Sequence, residues 1–74
     1  MRSNRWRRDG TRFYRRNASR YQAMIFGAPA PHCFWAWAVW ASKSKAEGVE
    51  FSLARARTEA NAAILDVEIR SEAA

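Results

Sequence analysis

Seventy-four residues with three glycines and two prolines make one small domain, and a chain of this size buries only about 60% of its unfolded surface. Its single cysteine, Cys33, excludes an internal disulfide, and one histidine, His32, beside it leaves a structural zinc site short of ligands. The net charge of +6 is uneven: residues 1–20 hold eight arginines against Asp9, while residues 21–74 hold five basic and six acidic groups.

So marginal a core would gain from a bound partner or a homodimer, and the cysteine usage suggests a cytoplasmic protein. The charge asymmetry suggests an anionic partner for the N-terminal part. All eight basic groups there are arginine and none is lysine, which favours bidentate phosphate contacts and stacking. Within this set Arg5, Arg7, Arg8, Arg12, Arg15, Arg16 and Arg20 are the candidate partner-binding residues. The plainer alternative is a solvated basic arm that keeps the protein in solution.

In chain order, residues 5–16 resemble a hairpin turning at Asp9-Gly10, since glycine takes positive φ freely and aspartate tolerates it. That register places Trp6 and Phe13 on one face. Asn17-Ala18-Ser19 offers a second turn. Residues 21–26 read as a strand, with Tyr21, Ala23 and Ile25 on one face and Gln22, Met24 and Phe26 on the other. Two prolines, neither able to donate to a ladder, then interrupt it at 27–32.

Residues 34–41 carry three tryptophans within six positions and read as the central strand. Trp35, Trp37 and Val39 share the face that the core must cover. Phe34 and Trp40 are left on the opposite face with Met24 and Phe26, an aromatic surface suited to base stacking or to a protein interface. Residues 42–48 read as a polar loop and 49–51 as a short extended run. A helix follows over 52–70, N-capped by Ser52 and stapled by Phe51 against Ala56. Leu53, Ala56, Ala60, Ala63, Ile64 and Val67 form its apolar stripe, and Ala62, Leu65 and Ile69 a second, narrower one. Arg55 with Glu59 and Asp66 with Arg70 stand at i,i+4 spacing.

Two other function classes find less support. Residues 21–42 lack formal charge over a length that spans a bilayer, but the proline-containing break at their centre argues against a membrane segment. Catalysis has little to draw on. His32 and Cys33 are neighbours and so point apart in an extended chain, which reads as a loop histidine beside a small buried thiol. No glycine-rich phosphate loop is present, and no cofactor or small-molecule substrate is expected.

Trp35-x-Trp37-x-Val39, then Gly48-Val49-Glu50-Phe51-Ser52-Leu53-Ala54-Arg55-Ala56 and an alanine-rich helix resemble two groups over residues 11–69. One is the three-stranded sheet plus helix of AP2-type and phage-integrase arm-binding domains. The other is the class of short phage and mobile-element proteins that includes some anti-CRISPR inhibitors. The first implies a sheet docked in a DNA groove. This chain departs from it in having no basic residue between Cys33 and Ser42, so base reading by that strand is not implied. The expectation is a single α+β domain over 1–74, an antiparallel sheet of three to four strands under one C-terminal helix. Its expected role is a non-enzymatic binding module for nucleic acid or a nucleoprotein complex. The alternatives are a protein-directed inhibitor and, further off, a single-span membrane protein.

Overall fold

The computed structural model describes residues 5–73, with side chains up to Arg70. Five strands, β1 (Arg7–Arg8), β2 (Phe13–Ala18), β3 (Tyr21–Gly27), β4 (Trp35–Ala41) and β5 (Ser44–Glu50), precede one helix, α1 (Leu53–Ala73). Each strand pairs antiparallel with its neighbours in chain order, giving an α+β meander. The sheet has five strands where three to four were expected. The additional strand is β5, which the sequence suggests is largely loop: Lys45, Glu47 and Gly48 are poor strand formers. They are tolerated because β5 lies at the sheet edge, where charged side chains also discourage unwanted pairing.

Two-residue turns, Ser19-Arg20 and Ser42-Lys43, join β2 to β3 and β4 to β5. The β3–β4 loop contains both prolines and is closed by Ala28 N–H donating to the Phe34 carbonyl at 2.8 Å. Within it Cys33 adopts φ 53° and exposes its thiol, so the buried thiol expected from its neighbours is not found.

The first hairpin departs most from expectation. Arg7 pairs with Arg15 and Arg8 with Tyr14, and Asp9 N–H donates to the Phe13 carbonyl at 2.7 Å. The loop is therefore three residues, Gly10-Thr11-Arg12, with Gly10 at φ 151°, a conformation that suits glycine. Relative to a two-residue Asp9-Gly10 turn, the pairing moves by an odd number of positions. Trp6 and Phe13 consequently fall on opposite faces.

Helix α1 lies across β3, β4 and β5. Its alanines let it approach closely: Ala56, Ala60 and Ile64 are buried against a sheet face that offers Tyr21, Ala23, Ile25 and Val39. Trp35 and Trp37 complete this face by lying over glycines on neighbouring strands. A Cβ at Gly27 would come within 2.5 Å of the Trp35 ring, and one at Gly48 within 2.7 Å of Trp37 Nε1. That indole N–H is buried without an acceptor among the described residues. Ser52 caps the helix through its Oγ, which accepts from Arg55 N–H at 3.1 Å. Phe51 is 84% exposed, so the expected staple onto Ala56 does not form. Arg55 turns back to Glu50 at 3.5 Å instead of pairing with Glu59, whereas Asp66 and Arg70 do pair, at 3.1 Å. Residues 21–42 form β3, β4 and their loop, not a helix, and no helix among the described residues is long and apolar enough to cross a membrane.

One polar clamp ties the first hairpin to the helix. Asn61 Oδ1 accepts from Trp6 Nε1 at 2.9 Å and from Arg16 Nη1 at 2.8 Å, while Arg16 Nε donates to the Tyr21 hydroxyl at 3.0 Å. Asn61→Ala would leave a half-buried guanidinium and an indole N–H without that acceptor. The expected cost is about 1–3 kcal/mol, read as a lower urea midpoint. Asn61→Asp keeps the acceptor oxygen and is expected to recover most of it. Equal loss in both variants would show that the neutral amide group, and not the acceptor oxygen, matters.

Candidate nucleic-acid interface

The helix covers one face of the sheet and leaves the other open. Residues opposed across an antiparallel ladder share a face, so the registers fix the open surface. One line across it runs Arg7, Arg15, Met24, Ala38, Glu47. On one side of this line lie Phe13, Phe26, Ala36 and Val49, and on the other Asn17, Gln22, Trp40 and Lys45.

At the β1–β2 edge Arg5, Arg7, Arg8, Asp9, Arg15 and Asn17 line a concavity of about 190 Å³. Arg7 and Arg15 are direct cross-strand partners, a placement that is unfavourable between like charges. Asp9 is the acid at this concavity, and it contacts Arg15 Nε at 3.2 Å. Both side chains are about half exposed, so the bridge contributes little stability. The Arg15 guanidinium also sits over the Phe13 ring, 5.4 Å from its centroid.

The seven arginines singled out from sequence do not act as one patch. Arg5, Arg7, Arg8 and Arg15 gather at the concavity. Arg8 also folds back on its own turn, donating to the carbonyls of Gly10 at 3.2 Å and Thr11 at 3.4 Å. Arg12 reaches the Ala28 carbonyl at 3.4 Å beside the proline loop. Arg16 is drawn to the helix face by Asn61 and Tyr21. Arg20, at the tip of the β2–β3 turn, joins Gln22, Trp40 and Ser42 around a separate depression of about 290 Å³. Arg2 lies outside the described residues.

The aromatic candidates separate as well. Trp40 stands on the open face with Lys45 Nζ 5.8 Å from its ring centroid. Phe34 precedes β4 at the opposite end and meets the His32 ring edge-on at 6.3 Å. Trp35 and Trp40 already span about 17 Å of strand at 3.4 Å per residue, so Phe34 and Trp40 cannot share one small ligand.

Sequence reasoning overlooks Val49 and Phe51 as surface residues. With Phe26 they are large apolar groups left in solvent, at 56%, 84% and 49% exposure respectively. The alternation of Val49, Glu50 and Phe51 carries the signal, since it puts the two apolar residues on one side, but the apparent capping role of Phe51 masks it. Among the described residues no three histidine, cysteine, aspartate or glutamate side chains cluster closely enough to hold a metal ion. Comparisons with protein-family models, curated proteins and solved structures return no match for this chain.

Proposed function

We propose that this protein is a small non-enzymatic binding module whose arginine-lined sheet edge contacts the phosphates of a nucleic acid, alone or within a nucleoprotein complex. The observation that carries this reading is the direct opposition of Arg7 and Arg15 on the open face. Such a pair opposes folding, and a polyanion lying across β1 and β2 relieves the repulsion. Arginine is suited to that contact because its planar fork binds phosphate oxygens in pairs. Phosphate contacts of this kind position a nucleic acid without reading its sequence.

Salt dependence tests the proposal. Three phosphate contacts predict a slope of log affinity on log salt of roughly −2 to −3. Between 50 and 200 mM salt, affinity for an arbitrary duplex should then fall on the order of 20- to 40-fold. Fluorescence anisotropy with a labelled oligonucleotide measures this directly. Absence of binding at the lower salt would retire the reading.

A protein target is the second reading, and the exposed Phe26, Val49 and Phe51 favour it. Solvent-facing apolar groups of this size commonly mark protein interfaces. A protein-directed inhibitor would bind its target through that apolar surface and show little affinity for free nucleic acid at physiological salt.

A further inference from the structure

The open face holds a second feature beside the arginine concavity. On the open face β4 presents Ala36 and Ala38, each a single methyl group, before Trp40. On their flanks stand Met24 and Phe26 of β3, and Glu47 and Val49 of β5. The sheet is therefore low along its middle strand and raised on both sides. The result is a shallow, mostly apolar groove of about 390 Å³ lined from β3 by Met24 and from β5 by Glu47, Gly48 and Val49. Phe26 stands beside it, across from Ala36, and does not line it, and Trp40 lies further along the same strand face.

The groove adjoins the arginines. The Arg15 guanidinium lies over Phe13, and the direct cross-strand partner of Phe13 is the half-exposed Phe26. Adjacent strands are about 4.8 Å apart. An anion held at Arg15 thus sits roughly one strand spacing from an exposed aromatic ring, and about two from the alanine floor. A positive edge, then a ring, then a flat apolar floor is complementary to a chain that alternates phosphates with planar bases.

We infer that the open face prefers single-stranded over duplex nucleic acid, with the arginine row holding phosphates while unpaired bases stack on Phe26 and lie in the alanine-floored groove. This inference rests on the nucleic-acid reading above and adds the class of strand. A duplex keeps its base faces inside its own stack, so it presents only its charged backbone to this apolar surface. An unpaired strand offers a π-face to each apolar position, whatever its sequence.

The test compares a labelled fifteen-nucleotide oligo-dT, an oligo-rU of equal length and a fifteen-base-pair duplex (lengths chosen as roughly one site size) at one salt concentration. Either single strand is expected to bind about fivefold or more tightly than the duplex, since one stacked base contributes at least that order. Phe26→Ala is expected to lower the ratio of single-strand to duplex affinity several-fold. Ala38→Leu, which fills the groove without removing an aromatic ring, is expected to lower the same ratio. Equal affinity for both strand classes overturns the inference and leaves the phosphate-binding reading standing. A ratio that neither variant lowers overturns it too. Failure of all three probes to bind at low salt overturns both this inference and the nucleic-acid reading.

Discussion

Ile25→Ala is expected to bring the domain close to unfolding. Ile25 is fully buried, and its direct cross-strand partners are Tyr14 and Trp37. Removing it deletes transfer energy and leaves a cavity that the tightly apposed helix cannot fill, together about 2–5 kcal/mol. A 74-residue domain holds only about 4–11 kcal/mol in total at typical per-residue stability. The midpoint of thermal unfolding should fall by roughly 10–25 °C. Phe51→Ala supplies the contrast. That ring is larger but almost wholly in solvent, so its removal should change stability by less than about 0.5 kcal/mol. If Phe51→Ala were the more damaging of the two, the helix would have to lie on the other face of the sheet.

The double variant Arg7→Ala/Arg15→Ala is expected to produce the largest loss of binding. Two charge-assisted contacts at about 1.5 kcal/mol each, the low end for bonds to charged groups, correspond to a decrease on the order of 100-fold at low salt. The slope on salt should flatten by about one unit per arginine removed, and the loss should be uniform across sequences. Folding should not suffer, because the variant also removes a like-charge opposition. Arg55→Ala/Arg70→Ala removes the same formal charge, but from the exposed ion pairs with Glu50 and Asp66. If that control weakens binding as much as the first variant, diffuse net charge accounts for the affinity and the concavity does not.

The exposed second stripe of the helix, Leu65 and Ile69, has no part in either prediction. It belongs to the helix, which packs on the face of the sheet opposite the open one.

Period and composition settle the parts of this protein that depend on near neighbours. Alternation along 21–26 and 34–41 is enough to assign Ile25, Trp37 and Val39 to the covered face, because a strand's two faces differ by one residue step. The helix is legible for the same kind of reason: an apolar stripe at helical spacing begins beside a serine whose Oγ is placed to cap it. The excess of arginine before residue 21 is likewise plain from composition. Only the tertiary structure decides where those arginines point. Asp9-Gly10 is locally acceptable as a two-residue turn, but the three-residue loop brings Trp6 over the core and its N–H to Asn61, fifty-five positions away. That distant contact selects the register, and the register in turn sets Arg7 against Arg15 in solvent while sending Arg16 to the helix. The strand β5 is decided in the same way. Its residues have weak strand preference of their own, and they pair because β4 presents an unpaired edge and Trp37 needs Gly48 beneath its ring. The open groove exists only once β3, β4 and β5 stand side by side, since Ala36 and Ala38 form a floor only between taller neighbours on other strands.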